Sequence, residues 1–97
     1  MPKQTSVNVL IKQVQKDLSL SWVKDGREFD GNSQAVLWSG EGATIKVNGE
    51  EVTAFDHYST DYENYIFGVR KELYNWTDTH GMHWEAHDTG TFFSYRD

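Results

Sequence analysis

Apolar and polar positions divide this chain into stretches of two different periods. From Val7 the apolar residues Val7, Leu10, Ile11, Val14 and Leu18 recur at the three- and four-residue spacing of an amphipathic helix. Ser6 or Thr5 supplies an N-cap, and Lys12 and Lys16 lie on the wet side. The pattern then changes to alternation: Leu18, Leu20 and Trp22 point one way, Ser19 and Ser21 the other. That predicts a strand ending at the turn sequence Lys24-Asp25-Gly26-Arg27. A short arm near 27–30 and a second turn cluster, Asp30-Gly31-Asn32-Ser33, lead to Ala35-Val36-Leu37-Trp38. Both faces of that run are apolar, as in an interior strand covered on two sides.

Gly40-Glu41-Gly42 loops into the clearest hairpin of the chain. Its arms, 43–47 and 50–55, flank Asn48-Gly49, two residues that tolerate the positive φ of a type I′ turn. The implied register sets Ile45 opposite Val52 and Lys46 opposite Glu51. Thr60-Asp61-Tyr62-Glu63 then reads as a capping box. Behind it, Tyr62, Ile66, Val69, Leu73 and Trp76 form the apolar stripe of a second helix that stops near Gly81. Gly68 within that helix costs about 1 kcal/mol relative to Ala, and marks where it can approach a sheet closely. A final hairpin alternates Met82, Trp84 and Ala86, turns at Asp88-Thr89-Gly90 and returns through Phe93 and Tyr95.

The expected order is α-β-β-β-β-α-β-β in a single domain over 1–97. The expected fold is α+β: an antiparallel sheet of about five strands with both helices on one face. A chain of 97 residues has room for one core and not two. With no cysteine it has neither disulfides nor thiolate metal sites, so its four Trp, five Tyr and five Phe must supply the large buried surfaces. Apolar runs of three or four residues cannot span a membrane, and Met1-Pro2-Lys3-Gln4-Thr5-Ser6 lacks the core of a signal peptide. A soluble, cytoplasmic protein is therefore expected.

Charge changes this picture. The net charge is −6 and uneven. Residues 1–24 hold four lysines against Asp17, whereas the remainder holds five bases against fourteen acids. A body this acidic is repelled by phosphates, so direct nucleic-acid binding is not expected. Catalytic signatures are missing too. There is no Gly-x-Ser-x-Gly elbow, no phosphate loop after Gly40-Glu41-Gly42 and no dinucleotide fingerprint, which points to a non-catalytic protein without a cofactor. Trp22, Trp38, Trp76 and Trp84 could stack on sugars, but each also fits the apolar side of its element.

Two constellations remain. His80, His83 and His87 fall within eight residues, and on a strand His83, Glu85 and His87 would share one face. Such groups are ordinary zinc ligands, but side chains two apart on a strand start nearly 7 Å from one another. The same residues fit the polar outer face of an edge hairpin, so no metal is expected and a metal- or ligand-binding protein is the alternative. The second constellation is Glu50, Glu51, Phe55, Asp56, Tyr58, Asp61, Tyr62 and Glu63, five acids interleaved with aromatics and no Lys or Arg. Carboxylates speed encounter with a basic surface, and aromatic rings add buried area with few rotamers to freeze. The expectation is an acidic protein-binding or inhibitory module that engages a basic surface of a partner protein. By analogy of size and charge, one form is a phage or mobile-element protein that blocks a host nucleic-acid-binding or defence protein.

Overall fold

The computed structural model describes residues 6–28 and 34–97. The Asp30-Gly31-Asn32-Ser33 turn, the end of the 27–30 arm and the alternative cap at Thr5 lie outside them. The first helix, α1 (Val7–Leu18), starts where its spacing predicts, with Ser6 Oγ accepting from the Val9 N–H at 3.3 Å. Leu10 and Val14 are its buried stripe. It ends at Ser19, which turns left-handed at φ 54°. That ending corrects the strand expected from Leu18, because Leu18 belongs to the last helical turn. Residues 20–23 instead form an irregular segment tied to the next hairpin through Ser21. The Ser21 N–H donates to Thr44 O and the Thr44 N–H to Ser21 Oγ, each at 2.8 Å. The strand itself, β1, is only Lys24–Asp25.

The apolar run at 35–38 enters strand β2 (Leu37–Gly40), which is interior as its two apolar faces require. The Asn48-Gly49 hairpin joins β3 (Thr44–Val47) to β4 (Glu50–Thr53) in the predicted register, Ile45 opposite Val52 and Lys46 opposite Glu51. It forms a two-stranded sheet of its own rather than extending the main one.

The largest departure is the second helix. Residues 60–70 are not helical. They contain a turn in which the Tyr65 N–H donates to Asp61 O, followed by a hairpin of β5 (Tyr65–Ile66) and β6 (Val69–Arg70). Helix α2 spans Lys71–Thr79. The capping box at Thr60 and Glu63 is replaced by a link from Asn64 Nδ2 to Asp61 Oδ2 at 2.8 Å. Gly68 sits not in a helix but in the hairpin turn, at φ 82°. The competing pairing that wins is with residues 54–56. The Asp56 N–H donates to Gly68 O at 2.7 Å, the Arg70 N–H donates to Ala54 O at 2.8 Å, and Phe55 bridges Val69. Three residues of the predicted stripe, Val69, Leu73 and Trp76, are buried all the same.

The last hairpin, β7 (Met82–Asp88) and β8 (Thr91–Arg96), turns where predicted, with a bulge between Ala86 and Asp88. The main sheet is antiparallel in the order β1-β2-β8-β7, so the eight strands among the described residues form one sheet of four and two of two. One face of the four carries Leu37, Ser39, Phe92, Ser94, Met82 and Trp84 into a core shared with Leu10 and Val14 of α1 and Leu73 and Trp76 of α2. The other face carries Trp38, Phe93, Tyr95, His83 and Glu85. Phe93 and Tyr95 thus return opposite Glu85 and His83, and Ala86 is exposed. Among the described residues no helix is long and apolar enough to cross a membrane.

Candidate functional site

The segment that displaces the expected helix start also builds a surface of exposed aromatic rings. At its root, Phe55 is 5% exposed, stacked on Phe92 at 4.7 Å and edge-on to Trp84 at 5.1 Å. That corrects its assignment as a partner contact: the ring is part of the core and anchors the segment. Beyond it the chain folds on short local bonds. Asp56 Oδ1 accepts from the Tyr58 N–H at 3.2 Å, Asp56 O from the Ser59 N–H, and Ser59 Oγ from the Asp61 N–H at 3.1 Å. Polar side chains closing such turns satisfy the backbone without help from the core. The tyrosines are therefore left out of the core, Tyr58 meeting only the His57 ring edge to face at 5.2 Å among the ring contacts of the described residues.

Tyr58 is 76% exposed, Tyr62 79% and Phe67 86%. They border one groove of about 800 Å³ whose opposite wall is Trp84, Glu85 and Ala86 of β7. Tyr65 completes it, fixed by a hydrogen bond from its hydroxyl to Thr53 O at 2.9 Å. The Arg70 guanidinium lies 5.7 Å from the Tyr65 ring and pairs with Glu72, so it is committed within the fold. From 47 to 69 the chain carries no Lys or Arg. Asp56, Asp61 and Glu63 are exposed, and among the described residues none of them forms an ion pair. Glu50 and Glu51 are exposed on β4 but do not line the groove, and Glu51 faces Lys46 across its hairpin.

The histidines are arranged differently. His83 Nδ1 lies 2.8 Å from Asp97 Oδ1 and Nε2 lies 3.0 Å from Glu85 Oε2. Asp97 first, then Glu85, hold its pKa above the usual 6.5 by favouring the imidazolium. His87 lies at the bulge, its ring edge-on to Phe93 at 5.3 Å, and His80 stacks on Trp76 at 4.0 Å. Among the described residues no three His, Asp or Glu side chains are grouped to hold a metal ion. Of the tryptophans, Trp76 and Trp84 are core, their indole N–H groups donating to Asp17 and Thr77. Trp22 and Trp38 are half-buried and meet edge to face at 5.7 Å.

Of the eight residues singled out from the sequence, Tyr58 and Tyr62 line this groove, whereas its Phe67, Tyr65 and β7 wall lie outside that set. The overlooked signal was Phe67-Gly68 as the two central residues of a turn between β-prone Tyr65-Ile66 and Val69. Comparison with protein-family models, curated proteins and solved structures finds no match.

Proposed function

We propose that this chain is a non-catalytic binding module whose acidic, aromatic surface at residues 56–67 engages a basic surface of a partner protein. The observation that carries the reading is the clustering of exposed rings. Of the four large hydrophobic residues exposed among the described residues, three, Tyr58, Tyr62 and Phe67, border the same groove. Rings of this kind contribute little to folding while in water, but each buries a large area on association. The unpaired carboxylates around them steer a cationic partner and set the salt dependence of encounter. A partner whose surface is basic because it holds nucleic acid fits this chemistry, with carboxylates taking the place of phosphates. A phage or mobile-element protein that blocks such a surface is one form of the proposal, resting on size and charge.

The test begins with a pull-down from native host extract read by mass spectrometry, and continues with surface plasmon resonance on the recovered partner. Glu63→Lys, an exposed charge within that surface, slows association and flattens its salt dependence, because exposed charges act over about 8–10 Å at physiological salt. Tyr58→Ala speeds dissociation. Parental kinetics in both variants would place the contact surface elsewhere.

A further inference from the structure

We infer that the outer edge of β7 takes an extended, basic segment of the partner as an added strand, whose side chains on one face enter the Tyr58–Phe67 groove. This rests on the proposed binding role and specifies what is bound. In the four-stranded sheet β7 is an end strand. The Asp97 N–H donates to Gly81 O at 2.9 Å in the register of the β7–β8 ladder. Antiparallel ladders alternate bonded and non-bonded pairs, so His83 and Glu85 bond to β8 while Trp84 and Ala86 direct their N–H and C=O groups outward. The other side of β8 agrees: the Glu41 N–H donates to Gly90 O, which gives Phe92 and Ser94 to β2 and leaves Phe93 and Tyr95 for β7. Among the described residues, Trp84 and Ala86 make no backbone hydrogen bond outside the sheet.

An edge of this kind is a template for another strand. The bulge beyond Ala86 ends the regular edge, leaving about four outward groups for a short segment. Trp84, Glu85 and Ala86 are also the wall of the aromatic groove, so backbone pairing and side-chain capture fall at one place. Charge selects the occupant. The far wall is built by a segment in which exposed Asp56, Asp61 and Glu63 adjoin the lining residues His57 and Tyr62 in sequence, and no Lys or Arg occurs from 47 to 69. Lys or Arg projecting from alternate positions of an added strand would lay its stem on the tyrosine rings and bring its cation to the carboxylates. A second copy of this chain, at net charge −6 and with the same acidic border, is repelled from that site.

The probe is a capped octapeptide, (Lys-Val)4, titrated into 15N-labelled protein. Two further versions carry N-methyl groups on all lysine amides or on all valine amides. Alternate amides of a strand point to the same side, so one methylated version faces its blocked amides to β7 and the other keeps them away. Strand addition predicts shifts of the Trp84 and Ala86 amides, a loss of about tenfold or more in affinity for one methylated peptide, and near-parental binding for the other. Equal binding of all three, with shifts confined to 57–67, would overturn strand addition and leave the acidic, aromatic surface standing. No binding at about 1 mM, while a basic folded partner still binds with steep salt dependence, does the same. A stable dimer in sedimentation with a protected Ala86 amide would overturn it in favour of self-pairing.

Discussion

Two hairpins of this chain turn on nearly the same backbone with different residues at the first turn position. In the β3–β4 hairpin Asn48 and Gly49 have φ of 53° and 82°; in the β5–β6 hairpin Phe67 and Gly68 have φ of 51° and 82°. Asn visits the left-handed region readily because its short polar side chain can bond locally, whereas a bulky residue there is strained by roughly 1–2 kcal/mol. Burial could offset that strain, but the Phe67 side chain is 86% exposed. The first hairpin is explained by folding alone. The second carries a ring that neither the backbone nor the core requires, beside two tyrosines in the same condition, and recognition is the role we propose for all three.

The broadest way to break the contrast is to truncate one side chain from each region. Leu73 is fully buried beneath the sheet, and Leu73→Ala is expected to lower unfolding free energy by roughly 2–4 kcal/mol. Tyr62→Ala, on the open surface, is expected to stay within about 0.5 kcal/mol. Urea denaturation of both checks this; comparable losses would mean that the tyrosine helps hold the fold.

The glycines of the two turns sharpen it further. Gly49 has open space where a Cβ would stand, so Gly49→Ala should cost about 1 kcal/mol for its positive φ alone. A Cβ at Gly68 would lie 3.1 Å from His57 Cα and 3.3 Å from Asp56 O, both backbone. Gly68→Ala should therefore cost about 1 kcal/mol more than its counterpart, because the aromatic hairpin is clamped to residues 54–56. Equal midpoints in urea would show that the clamp yields.

A smaller effect belongs to the sheet's outer face. Asp97 first, then Glu85, favour the charged form of His83, so its folded pKa is raised. Its contribution is fully present below the unfolded value of about 6.5 and is lost as pH rises through the folded one. The side chain is 43% exposed, so water screens much of the effect. Urea midpoints followed from pH 6 upward should fall slightly in the parent, and His83→Gln should remove that part of the slope. NMR titration of His83 itself should give a midpoint above 6.5.

How far the chain could be read in advance follows the same division. The Asn48-Gly49 register, the α1 cap at Ser6, the interior strand at Leu37 and the turn at Asp88-Thr89-Gly90 all rest on local chemistry, and local chemistry names them. The second helix was misplaced because Tyr62, Ile66, Val69, Leu73 and Trp76 keep helical spacing, yet Val69 and Leu73 reach the core from two different elements. What decides between them is nonlocal: the Arg70 N–H bonds to Ala54 O and Phe55 bridges Val69, contacts that no periodicity within 60–76 expresses. The same nonlocal pairing opens the groove, so Tyr58 and Tyr62 were legible as an aromatic, acidic stretch while Phe67 and the β7 wall were not.

The most direct test of an aromatic surface held open at a cost to folding is Phe67→Asn, which gives the second hairpin the residue of the first. Its urea midpoint should rise, by an amount corresponding to about 1 kcal/mol, with the denaturant slope unchanged. A midpoint that falls would mean that the Phe67 ring stabilises the fold, and would contradict the account.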